Sequence, residues 1–335
     1  MKRVAIVTGA AGFIGSHMVD LLLEQGYHVR AVDNLSSGRR EHLAHQASNP
    51  RLSVEVRDVR EVRPGAALFN GVESVFHFAG IGDIVPSIER PTDYLSANVM
   101  GTVCMLEASR RAGVKKFVYA ASSSCYGLAT ELPTTEQAPI DLHYPYALSK
   151  HLGEQAVLHW GRVYRLPVVS LRIFNAYGPR SRTSGAYGAV FGVFLAQKLA
   201  GKPFTVVGDG TQRRDFVFVT DLVKAFRLAA ESDCAQDIFN VGAGAPQTVN
   251  RLVELLGGEA VYLPKRPGEP DCTWADITKI RHRLGWQPTV SFEEGVAIML
   301  RHINDWRKAP VWTPEVIAHA TQEWFACLAG EEGTT

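Results

Sequence analysis

Two side chains four positions apart, Tyr146 and Lys150, carry the most legible chemistry in this chain. On a helix, residues four apart lie on one face, a turn from each other. A phenol titrates near pH 10 and is a poor base at neutrality, but a neighbouring ammonium stabilises its anion and makes it usable. Upstream, Ser122, Ser123 and Ser124 lead into Cys125-Tyr126-Gly127. A hydroxyl there can bond a reacting oxygen and share its proton with the phenol. Taken singly, the Tyr–Lys spacing is common by chance and a serine run reads as a polar loop. They gain weight from a third feature near the start of the chain.

That feature is Thr8-Gly9-Ala10-Ala11-Gly12-Phe13-Ile14-Gly15. Glycines at three-residue intervals let a backbone turn sharply, approach a pyrophosphate and pack the next helix on a sheet, and the helix N-terminus offers its free N–H groups to phosphate. The spacing is GxxGxxG rather than GxGxxG; its place between an apolar strand and a helix favours cofactor binding over a plain tight turn. Asp33 closes the next strand, where a carboxylate accepts from an adenosine ribose and repels a 2′-phosphate, favouring NAD over NADP. Arg39 and Arg40 nearby could soften that preference, and Asp33-Asn34 also reads as a turn. Asp58, after the third strand, is read either as a partner for the adenine amino group or as a solvated loop acid.

These residues need a frame. Val4–Thr8, Val29–Asp33, Leu52–Val56, Ser74–Phe78, Phe117–Ala121 and Val168–Phe174 read as strands without strict alternation, as expected when helices cover both faces. Phe13–Gln25, Tyr94–Arg111 and Ala147–Tyr164 read as helices between them, with Gly26 and Gly113 placed to end the first two. The alternation predicts an α/β fold, a Rossmann-type doubly wound parallel sheet with a smaller C-terminal substrate-binding lobe. The expected division is a nucleotide-binding domain over 1–178, rejoined by segments of about 215–245, and a smaller lobe over 179–330. Strand candidates at Asp215–Val219 and Asp237–Asn240 are placed in the returning segment, and Glu331–Thr335 reads as a frayed tail.

Composition removes other classes. Among 335 residues, 35 Lys and Arg against 34 Asp and Glu leave a net charge of +1, so no cationic excess exists to displace counterions from a nucleic acid. With 46% hydrophobic residues the chain can bury a core, yet no run approaches the ~18 apolar residues of a membrane span. Its 5 cysteines are scattered, without metal spacing or an even count, so reduced thiols in a cytoplasmic protein are expected and no metal is.

Together these residues resemble the extended short-chain dehydrogenase/reductases, and within them the nucleotide-sugar epimerases. The resemblance runs over about residues 1–305 and includes His77-Phe78-Ala79-Gly80, Asn98 with Gly101-Thr102, Arg172-Ile173-Phe174-Asn175-Ala176-Tyr177-Gly178-Pro179, Arg214-Asp215-Phe216, Arg266-Pro267-Gly268 and Trp274-Ala275-Asp276. It implies that Tyr146 removes the sugar 4-hydroxyl proton while C4 gives hydride to NAD, that Lys150 lowers the Tyr pKa and holds the nicotinamide ribose, and that Ser122 is the catalytic hydroxyl. NAD is then expected on Gly9, Gly12, Phe13, Ile14 and Gly15, on Asp33, Asn34, Ser37 and Gly38, on Asp58 and Val59, and on Phe78, Ala79, Gly80 and Asn98. A nucleotide-diphosphate sugar, a UDP-sugar foremost, is expected on Asn175, Arg214 and Arg266, with Ser123, Ser124, Tyr146 and Thr273 near the sugar.

Dehydratases of this type carry Asp-Glu after the catalytic hydroxyl residue, and decarboxylating relatives keep the Glu. Ser123 and Ser124 cannot do that proton work at neutral pH, so 4-epimerisation is favoured over elimination. Net redox turnover as a reductase and a uronic acid substrate remain alternatives. Thr273 is smaller than the Tyr that excludes N-acetyl groups, which leaves room for a UDP-N-acetylhexosamine as well as a UDP-hexose. Ser181–Gly188 adds hydroxyls and an Arg, either to recognise an unusual sugar or as a structural loop. The apolar content of Tyr94–Arg111 and Ala147–Tyr164, with the family's four-helix pairing, implies a homodimer. Thr313–Leu328, with Trp324 and Phe325, reads as an amphipathic helix, packed on its own domain in preference to an oligomer contact.

Overall fold

Seven parallel strands form the centre of the molecule. The structure, a computed structural model, describes residues 2–181 and 190–328. In chain order the strands are β1 (Val4–Thr8), β2 (His28–Asp33), β3 (Leu52–Val56), β4 (Ser74–His77), β5 (Lys116–Ser122), β6 (Val168–Ile173) and a last strand, Gln236–Val241. Their spatial order runs from Gln236–Val241 through β6, β5, β4, β1 and β2 to β3. The sheet is therefore an α/β Rossmann-type fold whose chain reverses direction of winding between β1 and β4, the switch point where such sheets bind ligands. Register fixes what faces that point: Thr8 pairs with Val32 on one side and His77 on the other, and Ser122 ends β5 beside Ile173. All seven residues of β5 are buried, which is why its sequence shows no period of two.

The first crossover helix, Phe13–Glu24, buries Gly15, Ser16, Met18, Val19, Leu22 and Leu23 against the sheet, and Gly26 at φ +82° follows its last turn. The expected helix over Tyr94–Arg111 is less regular than its sequence suggests. An α turn at Pro91–Tyr94 gives way to a π-helical stretch, Leu95–Met100, before α geometry resumes over Gly101–Arg111. The wide turn brings the Asn98 carbonyl to 3.0 Å of where a Cβ on Gly153 would stand, so the neighbouring helix Pro145–Tyr164 needs glycine there.

Only one of the two later strand candidates joins the central sheet. Gln236–Val241 pairs with β6, whereas Phe216–Phe218 pairs with Asn175–Tyr177 in a separate two-stranded ribbon. The ribbon leads into an aromatic core of Tyr177, Phe191, Phe216, Phe218 and Phe292, with Tyr177 and Phe191 stacked at 4.6 Å. Asp215 ties this region to the sheet end: its buried carboxylate accepts the N–H groups of Ala243, Gly244 and Ala275. The single helix expected over Thr313–Leu328 is two, Pro314–Ala320 and Gln322–Leu328, broken at Thr321, whose hydroxyl donates to the Ile317 carbonyl at 2.9 Å. Among the described residues no helix is long and apolar enough to cross a membrane, and no cluster of three or more His, Cys, Asp or Glu could hold a metal ion. Residues 182–188 of the expected substrate loop and the tail 331–335 lie outside the described residues.

Candidate active site

A cleft of about 650 Å³ opens over the carboxyl ends of β1, β2, β4 and β5. One end is made by backbone. Gly9 sits at φ +64°, where a Cβ would lie 2.9 Å from the Ala79 nitrogen, and a Cβ on Gly15 would lie 2.1 Å from the Gly9 carbonyl oxygen. The turn thus exists only with glycine at both positions. It leaves a concave floor at a helix N-terminus with no side chain at Gly9, Gly12 or Gly15, the shape that a dinucleotide pyrophosphate requires. Gly12, Phe13 and Ile14 line the same floor.

Asp33 organises the next wall. Its Oδ2 accepts the Ala11 N–H at 2.9 Å and its Oδ1 the Leu35 N–H at 2.8 Å, which leaves a lone pair on each oxygen for a ribose diol. Asn34 and Ser37 line the cleft, while Gly38 packs behind Asp33, where a Cβ would come within 2.8 Å of the carboxylate. Asp58 and Val59 line the far end. The Asp58 carboxylate is gripped by Arg60 at 2.9 and 2.7 Å and accepts from Asn34 at 2.9 Å; the Arg60 bonds hold its carboxyl well below the usual range.

Phe78, Ala79 and Gly80 line the middle of the cleft, but Asn98 does not. Its carboxamide accepts from the Ile81 N–H at 2.7 Å and donates to the Ile81 carbonyl and the Ser149 hydroxyl, so all of it is spent on shaping the loop after β4. A second clamp on that loop is His77, which the resemblance includes without a role. Thr102 donates to the Asn98 carbonyl at 2.7 Å, so the His77 Nε2–H donates to the Thr102 oxygen at 3.0 Å. Nδ1 then accepts from Thr8, 2.8 Å away, whose oxygen accepts the Ala79 N–H at 3.1 Å. Burial pushes this imidazole down to about 3, so it stays neutral and holds one tautomer.

Ser122, Tyr146 and Lys150 meet at the opposite end of the cleft. Ser122 ends β5 and caps the short 3-10 turn Ser123–Tyr126, its hydroxyl donating to Ser124 Oγ at 2.9 Å. The Tyr146 phenol is hydrogen-bonded to Ser122; burial pushes its pKa up, Ser122 pulls it down, and Asp83 pushes it up again. The spacing predicts that Lys150 sets this phenol. The buried ammonium lies 4.5 Å from the centre of the Tyr119 ring, and burial lowers it to about 8. Asp83, at φ +74° on the cleft wall, is a further acid that the sequence did not flag.

The residues expected to hold a sugar nucleotide form a separate cluster rather than part of that wall. Phe174 and Ala176 line the cleft, and the side chain between them, Asn175, is turned away as strand alternation requires. Its Oδ1 accepts from Thr273 at 2.7 Å. Arg214 donates to Glu269 at 2.7 Å and to the Pro270 carbonyl at 2.8 Å, and Arg266 lies 3.9 Å from the other Glu269 oxygen. Glu269 thus gathers both guanidiniums, a role only the fold reveals. Ser123 and Ser124 sit behind Ser122 rather than on the cleft wall, with Ser124 hydrogen-bonded to the Tyr144 phenol.

A parallel sheet whose switch point opens on a glycine-turned loop, with Ser, Tyr and Lys at the other end of one cleft, defines a dinucleotide-dependent redox site. The chain belongs to the NAD dependent epimerase/dehydratase family, whose model matches residues 5–242. It is 36% identical over 300 residues to the UDP-glucose 4-epimerase of Mycolicibacterium smegmatis, covering 87% of this chain and 96% of that one. Among solved structures it is similar to the UDP-glucose 4-epimerase of Thermotoga maritima with UDP-glucose (TM-score 0.82, 34% identity, 90% of this chain and 99% of that one). It is also similar to the UDP-glucuronic acid 4-epimerase of Bacillus cereus in complex with UDP-glucuronic acid and NAD (TM-score 0.84, 29% identity, 90% and 99%).

Proposed function

We propose that the protein is an NAD-dependent nucleotide-sugar 4-epimerase acting on a UDP-hexose or UDP-N-acetylhexosamine through a 4-keto sugar. The observation that carries this reading is the single cleft that joins the glycine floor and Asp33 to Ser122, Tyr146 and Lys150. NAD, held by the Gly9–Gly15 floor and Asp33, supplies a two-electron acceptor and donor at sugar C4. Tyr146 takes the 4-hydroxyl proton as the C4 carbonyl forms and returns it when C4 is reduced on its other face. Ser122, bonded to that phenol, holds the reacting oxygen in line. Lys150 contributes a buried positive charge beside the site, favouring the phenolate that its own helix positions. Arg214 and Arg266, gathered by Glu269, take the diphosphate.

Elimination chemistry is disfavoured because serines stand at 123 and 124, where no acid–base pair is available. A homodimer is supported by Leu148 and Leu152, one turn apart and 37% and 38% exposed on the Pro145–Tyr164 helix. The five free thiols suit a cytoplasmic setting. NMR of the protein incubated with UDP-glucose, UDP-N-acetylglucosamine and UDP-glucuronate tests the reading. C4 inversion of either neutral sugar is expected; turnover of the uronate alone, or loss of water, overturns it.

A further inference from the structure

The resemblance read from the sequence ends near residue 305, and nine-tenths of this chain already cover 99% of the Thermotoga maritima structure. The chain nevertheless continues through helices Pro314–Ala320 and Gln322–Leu328, which return over the sugar-nucleotide end. The first is anchored by Ile317 in the aromatic core of the smaller lobe. The second inserts Trp324, only 4% exposed, between the Arg266–Pro267 turn, Tyr144 and the Val85–Glu89 helix.

The indole N–H, the one polar group of that side chain, donates to the Pro267 carbonyl at 2.8 Å. The Arg266 guanidinium lies 5.7 Å from the Trp324 ring centre, so the residue before Pro267 packs on the same indole. The Tyr144 ring lies at 6.4 Å; Tyr144 caps the helix that carries Tyr146 two residues later, and its phenol is bonded to Ser124. On the remaining side Trp324 and Leu328 pack on Val85, Ile84 and Ile88, directly after the Ile81–Asp83 wall of the cleft.

We propose that Trp324 is a positioning residue for the sugar nucleotide: it fixes the Arg266–Pro267 turn in the arrangement that receives a nucleoside diphosphate. The proposal rests on the reading of Arg214, Glu269 and Arg266 as the sugar-nucleotide end. A guanidinium already held against an aromatic face loses less rotamer freedom on binding, so the contact contributes to affinity through preorganisation. It makes no contact with the glycine floor, and NAD retention is independent of it.

The test uses the NAD-loaded full chain with UDP as calorimetric probe, together with steady-state kinetics and bound-NAD content. Trp324→Ala is expected to weaken UDP binding and raise KM about tenfold, with kcat and NAD content within about twofold, the pattern of lost uniform binding. Trp324→Phe, which keeps a ring and loses the N–H, is expected to weaken UDP binding about threefold, the scale of one hydrogen bond. It carries the same test where the alanine variant does not fold. UDP affinity and KM unchanged in the folded variants overturn the proposal, as does a fall in kcat and NAD content at constant KM. A wild-type chain that does not bind UDP overturns the functional reading itself, before any variant is made.

Discussion

The two ends of the site are built from different materials. At the dinucleotide end the binding surface is main chain: a turn that only glycine permits, a helix N-terminus, and Asp33 holding two backbone N–H groups. At the sugar end it is side chain: Arg214 and Arg266 around Glu269, Asn175 locked to Thr273, and Trp324 behind them. Backbone geometry is set by local sequence and leaves little to vary. Side-chain clusters depend on residues far apart in the chain and can be retuned singly. On the proposed reading, one end fixes the cofactor and the other decides substrate choice.

Substitutions should separate the two ends. Tyr146 stands where they meet, and Tyr146→Phe removes the proton acceptor while leaving both surfaces intact. kcat is expected to fall about a thousandfold, within the range for loss of a positioned acid–base group, with UDP affinity and bound NAD preserved. Gly15→Ala forces a methyl to 2.1 Å from the Gly9 carbonyl oxygen. The purified variant should lose most of its NAD yet still bind UDP; full NAD content measured by absorbance would break the division. Arg214→Gln leaves one guanidinium at Glu269 and should raise KM about tenfold with NAD content unchanged, a size typical of one charged hydrogen-bonding group.

The smallest effect lies in pH dependence. Lys150 is lowered from its ordinary 10.5 to about 8 by burial, so its charge is present below that pH and lost as pH rises through it. kcat/KM should fall on the alkaline side with a midpoint near 8. Tyr119→Leu removes the aromatic face under the ammonium and should move that midpoint lower, whereas Tyr119→Phe keeps the face and should not. An unchanged midpoint in Tyr119→Leu would separate the ring from the charge.

The same contrast explains what was legible in the sequence. The Gly9–Gly15 turn, Asp33 and all seven sheet strands are written in consecutive residues, because local sterics and apolar runs specify them, whereas which of the two late candidates joins the sheet is not. The Tyr146–Lys150 pair was legible for its shared helix face, but not for the Tyr119 ring that β5 places beside the ammonium. Asn98 carries a motif, yet whether its amide faces a ligand or the Ile81 backbone depends on the π-helical turn beneath it. Glu269 left no usable signal and Trp324 only that of an amphipathic helix: the first matters because a fold brings Arg214 to it across 55 positions, the second because its helix returns to Pro267 across 57.

The central claim is that C4 is oxidised and re-reduced on the same sugar by a cofactor that stays bound. The most direct measurement supplies UDP-glucose deuterated at C4 and follows the label by NMR without added NAD. The account predicts UDP-galactose with deuterium retained at C4 and none acquired from solvent when unlabelled substrate is turned over in D2O. Label washed out to solvent, or solvent deuterium entering C4 or C5, would contradict it.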